Sequence, residues 1–155
     1  MTRMSRRPAA LLILAGVLWT SGCAEYPADP DRSLAQAREG ELSVGVVEHP
    51  PWTDLSGQHP AGSEVELISS YADRIGAQIR WVPGSESELV GLMADHELDL
   101  IIGGFDENTP WASEAAPTRP YATPGDDPGR IVLVEQGENA LLTDLETYFI
   151  ERRTR

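Results

Sequence analysis

LDLIIGG, Leu98–Gly104, is almost continuously apolar, ends in two glycines and runs into a polar loop. An apolar run that short, without the in-out alternation of a half-exposed strand, is what a central parallel strand covered on both faces requires. The residues around it repeat one theme. Upstream, Ser85 with Glu88 three residues later predicts a capped helix whose apolar side carries Leu89, Leu92 and Met93. Before that helix stands a strand, QIRWV (Gln78–Val82). Earlier still, Val65, Ile68, Ala72 and Ile75 recur at helical spacing between a Ser63/Glu66 capping box and the terminating Gly76, and LSVGVV (Leu42–Val47) forms the first strand.

Downstream lies a long irregular stretch from Phe105 to Gly129, then a strand RIVLVEQ (Arg130–Gln136). A helix from about Asn139 to Arg153 follows, with Leu141, Leu145, Tyr148 and Phe149 turned inward. The order is β-α-β-α-β, loop, β-α. Right-handed crossovers turn such a string into an α/β fold: a mainly parallel sheet between helices on both faces, three layers in all. Open sheets of this kind take ligands at the carboxyl ends of their strands, here His49 to Asp54, Pro83 to Ser85 and Phe105 to Trp111.

The first residues predict export. Arg3, Arg6 and Arg7 precede an apolar run, Ala9–Trp19, too short to span a bilayer as a helix, which marks residues 1–22 as a signal peptide. Thr20-Ser21-Gly22-Cys23 resembles the lipobox of bacterial lipoproteins, with Thr20 where leucine is commoner, and Cys23 is the sole cysteine. The expectation is a lipidated, palmitate-bearing Cys23 on a periplasmic, membrane-anchored protein; the plainer alternative is an ordinary signal peptide with a chance cysteine. Residues 23–39, rich in Pro, Ala and Asp, read as a tether, and residues 40–155 as one domain.

Charge excludes several partners. The chain holds 25 acids and 12 basic residues, all of them arginine, and loss of Arg3, Arg6 and Arg7 moves the net charge from −13 to about −16. Such a surface repels nucleic acid and anionic headgroups. His49, His59 and His96 show no zinc-like spacing, so no metal is expected, and no motif implies a cofactor. No glycine loop cradles phosphate, and no serine or cysteine has a recognisable catalytic partner.

GELSVGVVEHPPWTDLSG (Gly40–Gly57), EVELISSYADRIGAQIRWVPG (Glu64–Gly84), LVGLMADHELDLIIGG (Leu89–Gly104), TRPY (Thr118–Tyr121) and VLVEQGENALLTDLETYF (Val132–Phe149) follow one another in an order and spacing that resembles the extracytoplasmic solute-binding proteins of family three. These are the polar amino-acid receptors of ABC transporters. The resemblance implies a type II periplasmic-binding fold, in which two lobes close on a ligand and the second is inserted through hinge strands. Here only about residues 122–129 separate TRPY from the returning strand, so the second lobe is expected to be absent. The resemblance also implies that Trp52 occupies the place of the aromatic that stacks on the ligand. Where the family offers hydroxyls and then an arginine for an α-carboxylate, this sequence has Phe105 to Ser113 with Asp106 and Glu107 and no arginine. A cationic or neutral polar solute is therefore expected in preference to a carboxylate.

The candidate ligand residues are Trp52, Asp106, Glu107 and Trp111, with His49 and Asp54 weaker. Trp52 and Trp111 could flank a small planar or cationic group beside Asp106, or could simply cover the sheet end. Asp106 and Glu107 could equally form a solvated acidic turn. Trp81, on a strand, reads as core. Three functions compete: a solute-binding lipoprotein serving transport or sensing, a degenerate lobe that contacts a permease or sensor, and an accessory to a wall-cleaving enzyme, since some transglycosylases carry a domain of this family.

Overall fold

The computed structural model describes residues 30–122 and 128–154. The elements in order are α1 (Ser33–Glu39), β1 (Glu41–Val46), α2 (Ser63–Ile75), β2 (Gln78–Pro83), α3 (Glu86–Ala94), β3 (Leu100–Asp106), β4 (Ala116–Pro117), β5 (Tyr121–Ala122), β6 (Pro128–Val134) and α4 (Asn139–Arg153). One sheet runs β2-β1-β3-β6-β4, with β5 also paired to β6. β1 is parallel to β2, with Leu42 opposite Ile79, and to β3, with Val44 opposite Leu100. The returning strand β6 is antiparallel to β3, pairing Leu100 with Val134 and Asp106 with Arg130, so the sheet is mixed.

Side-chain alternation along these strands builds two cores. Leu42, Val44, Val46, Leu100, Ile102, Val132 and Val134 face α1, α2 and α4, meeting Ile68, Tyr71, Leu141, Leu145 and Phe149. Ile101, Phe105, Ile131 and Leu133 face the other way, meeting Leu89, Val90 and Met93 of α3. β3 is apolar throughout because both of its faces are covered. Trp81 is half-buried, packed against the first core, and also lines a shallow groove of about 360 Å³ with Leu55 and His59.

Two local expectations are corrected. The stretch read as tether is helical from Ser33, with Ala37 fully buried and Leu34 packed on the first core. The amides of Asp31 and Ser33 donate to the Glu138 carboxylate at 2.9 and 3.1 Å, and Arg38 pairs with Asp144 at 3.0 Å. A single apolar turn of helix was too brief to register as a period. At α2, the Ser63/Glu66 capping box is not formed. Gly62 is the N-cap, and the amides of Ser63 and Glu64 donate to the carbonyls of Pro51 and Trp52 at 3.4 and 3.0 Å, so the preceding loop satisfies the helix end. The Ser85/Glu88 box on α3 does form, with the Ser85 amide donating to the Glu88 carboxylate at 3.0 Å.

The long stretch after β3 is partly ordered into β4 and β5 along β6, where Thr118 exchanges backbone and side-chain bonds with Val132. The expected junction between lobes falls largely on residues 123–127, and the signal peptide, Cys23 and the first part of the tether fall on residues 1–29; both lie outside the described residues. Among the described residues no helix is long and apolar enough to cross a membrane.

Candidate functional site

The carboxyl ends of β1 and β3 meet a tight loop that positions two of the expected residues. After β1 the chain turns back on itself: the His49 amide donates to Thr53 O and Oγ1 at 2.9 and 3.0 Å, and the Thr53 hydroxyl donates to Val47 O at 2.5 Å. Pro50-Pro51, which is cis, occupies the tip. This folding sets the His49 ring edge-on to the Trp52 indole, centroids 4.8 Å apart. His49 Nδ1 lies 2.9 Å from Gly103 O, and because a carbonyl only accepts, that nitrogen carries the proton.

Gly104 makes the close approach possible. Its φ is +68°, and a Cβ there would stand 2.8 Å from His49 Nδ1 and 2.9 Å from Trp52 Cε3. The amides of Gly103 and Gly104 both donate to Glu64 Oε2, at 2.9 and 2.8 Å, and the Tyr121 hydroxyl donates to Glu64 Oε1. Glu64 is fully buried. Burial pushes its carboxyl pKa up, while the bonds from Tyr121, Gly104 and Gly103 and the charge of Arg130 act against that rise.

Arg130, at the start of β6, completes the site. Its guanidinium carbon lies 3.9 Å from the Trp52 ring centroid, a cation–π contact, and its Nη1 donates to Gly104 O at 2.5 Å. The strand ends thus present an indole held by His49 and Gly104 and already engaged by a planar cation. The amides and the hydroxyl at the strand ends are satisfied by the buried Glu64.

The other expected residues are placed differently. Asp106 is exposed opposite Arg130 on the β3–β6 ladder, and its carboxylate takes the Asn108 amide at 2.8 Å. Glu107 is exposed on the same turn. Asp54 is occupied by its own turn, accepting the Ser56 amide at 2.8 Å, and hydrogen bonds from Ser56 hold its pKa below the ordinary value. Trp111 packs on the α3 core and donates its Nε1–H to Glu86 at 2.7 Å. Of the two readings open for the tryptophans, packing describes Trp111, which belongs to the α3 layer, while the ring contacts of Trp52 are His49 and Arg130.

Three residues of the site were not singled out from sequence. Glu64 carried a readable signal, an acid on the stripe Glu64, Ile68, Tyr71, Ile75, where a charge is buried only if partnered. Arg130 and Tyr121 carried none, because their roles depend on how β5 and β6 pair.

The fold is a two-core α/β lobe in which a polar cluster built on Glu64, Trp52 and Arg130 closes the strand ends. Residues 42–145 match the model of the bacterial extracellular solute-binding proteins, family 3, and the chain belongs to that family. Its architecture is that of one lobe of the type II periplasmic-binding fold. The arginine-bound form of domain 1 from TmArgBP, as a Phe57Trp mutant, matches with a TM-score of 0.68 at 20% identity, covering 81% of this chain and 98% of that one. An ancestral cyclohexadienyl dehydratase matches with a TM-score of 0.67 at 14% identity, covering 78% of this chain and 90% of that one. The membrane-bound lytic murein transglycosylase F of Idiomarina loihiensis is 26% identical over 138 residues, which is 88% of this chain and 29% of that protein. The chain thus spans under a third of the length of that relative.

Proposed function

We propose that this protein is an exported lipoprotein, anchored through Cys23, whose single lobe binds a small polar solute at the ends of β1 and β3, with a cationic group preferred. The observation that carries the reading is the Arg130 guanidinium 3.9 Å over Trp52. A face that already takes one planar cation supports this reading, with a ligand guanidinium or ammonium taking the place of the Arg130 side chain. Asp106 and Glu107, exposed at the rim, add negative potential for such a ligand and repel a free carboxylate. Domain 1 of TmArgBP, similar in fold, binds arginine, which agrees with this chemistry. Transport or sensing, through a permease or a sensor, is the setting in which a family-three lobe serves.

Binding rather than catalysis is the reading that the two titratable groups nearest Trp52 support. Glu64 has its carboxylate committed to three donors, and His49 Nδ1 is committed to Gly103 O.

The test is calorimetry on the purified protein with Cys23→Ser, titrating L-arginine and L-glutamate. L-arginine should bind measurably and glutamate more weakly, and Trp52→Ala should abolish arginine binding. Tighter binding of glutamate, or arginine binding that survives Trp52→Ala, overturns the assignment. The same Arg130–Trp52 contact favours one second reading, a lobe whose site is permanently filled by its own arginine and which acts by touching a membrane partner. That reading gains if neither amino acid binds and the protein co-purifies with a permease or sensor.

A further inference from the structure

At the opposite end of the β3–β6 pair, three chain segments converge that have no part in the solute site. Asp31 precedes α1, His96 sits in the turn between α3 and β3, and Glu135 follows β6. His96 Nδ1 contacts Glu135 Oε1 and lies 3.3 Å from Asp31 Oδ2. One ligand-type atom from each of the three residues falls within 4.8 Å of the other two.

The arrangement is held in place from behind. Glu138 is 1% exposed and accepts the Asp31 and Ser33 amides, which fixes the backbone that carries Asp31. Glu135 is itself buried, its amide donates to Asp99 O at 3.1 Å, and the Glu138 amide donates to Glu135 O at 3.3 Å. His96 is one of two non-glycine residues with positive φ among the described ones, at 61°, and this turn aims its ring at the two carboxylates. Asp31, Asp95, Asp99, Glu135 and Glu138 all act on this locality. Arg80, which bonds Glu41, Ser43 and Glu97 O, offsets Asp99 only in part. These carboxylates crowd negative charge around one imidazole, and a divalent ion held between them would offset it.

We propose that Asp31, His96 and Glu135 form a binding site for a divalent transition-metal ion, with Zn2+ the best match. Imidazole nitrogen with two carboxylate oxygens is a donor set zinc accepts, and bond lengths of about 2.0–2.2 Å put tetrahedral ligand atoms roughly 3.3 Å apart. The His96–Asp31 separation already has that value. Three protein ligands leave the fourth position to water. Because Asp31 precedes α1, the ion would tie the start of the described chain to the turn before β3 and to the end of β6. The site is independent of the solute reading, so either can fail alone.

The experiment uses protein bearing Cys23→Ser, made without a histidine tag and stripped with EDTA, titrated calorimetrically with ZnCl2 and separately with MgCl2. One equivalent of Zn2+ should bind with micromolar affinity, far ahead of Mg2+. His96→Ala and Asp31→Asn, both at exposed side chains, should each weaken it by roughly tenfold or more, with unchanged circular dichroism. Zinc should also slow amide exchange at residues 31–36. Absence of saturable Zn2+ binding, affinity unchanged in both variants, or equal affinity for Mg2+ overturns the proposal; the last two outcomes would assign binding to other histidines or to diffuse acidic charge.

Discussion

Glu64→Ala is the substitution that most directly probes how the solute-facing end is built. The side chain is fully buried and accepts from the Gly103 amide, the Gly104 amide and the Tyr121 hydroxyl. Alanine strands all three donors. Each unsatisfied buried donor costs about 1–3 kcal/mol, and Tyr121 can relieve part of its share by rotating its hydroxyl, so a loss of roughly 3–5 kcal/mol is expected. That is a large part of the ~5–15 kcal/mol that holds a domain of this size together. Glu64→Gln keeps an acceptor oxygen for the glycine amides and can turn its NH2 toward the Tyr121 oxygen, so about 1–2 kcal/mol is expected. Urea unfolding followed by tryptophan fluorescence measures both. Destabilisation of Glu64→Ala by less than about 1 kcal/mol would refute the claim that this carboxylate organises the strand ends. The pH dependence has a definite sign. The folded-state pKa of Glu64 is raised above its ordinary 4.5, so the fold favours the protonated form. Its contribution to stability is then fully present below that value and lost as pH rises through the folded pKa, and Glu64→Gln should remove that part of the slope.

Other substitutions test separate links. Gly104→Ala should cost about 2–4 kcal/mol, because it combines a left-handed backbone with a Cβ driven into His49 and Trp52, and it should abolish solute binding in calorimetry. Ser85→Ala removes the α3 capping box and should cost about 1 kcal/mol by urea unfolding. Leu133→Ala opens a cavity in the α3-side core, for an expected loss of about 2–5 kcal/mol, whereas Ile150→Ala, at a half-exposed position, should change stability by under about 0.5 kcal/mol.

What could be read in the sequence followed from periodicity. The strands around LDLIIGG and the helices beside them obey spacing rules that act within a few residues, and α4 spans Asn139–Arg153 as the pattern required. His49 and Trp52 could be placed at the mouth because both sit where β1 ends. The remainder depends on contacts between segments far apart in the chain. Arg130 reaches Trp52 only because β6 runs antiparallel to β3, and no local pattern encodes that direction. Trp111 faces α3 because the turn after Asp106 folds it to that side, and helix α1 is stabilised by Glu138, more than a hundred residues away. The reading of His96 as an unremarkable histidine rested on sequence spacing, which cannot register Asp31 and Glu135 beside it.

Affinity is where a one-lobe reading makes its strongest demand. A clamshell removes its ligand from water by hinge closure and signals occupancy through the closed shape. On the reading that this chain supplies one lobe, a solute on Trp52 would bury about half its surface, short of the ~70–90% typical of enclosed sites. It must also displace the Arg130 guanidinium from the indole and from Gly104 O, giving up a cation–π contact and a hydrogen bond before any gain. Both effects push toward millimolar to high-micromolar dissociation constants, about −4 to −6 kcal/mol of binding free energy. Arg130→Ala removes the competitor and should tighten binding of L-arginine by roughly three- to tenfold, the equivalent of about 0.7–1.4 kcal/mol, if the site is a receptor that its own arginine guards. A second copy or another protein facing the strand ends would supply the missing wall, and tight binding would then track with association. Calorimetry paired with light scattering separates these cases: sub-micromolar binding by a monomer refutes the one-lobe argument, and tight binding confined to a dimer identifies what stands in for the second lobe.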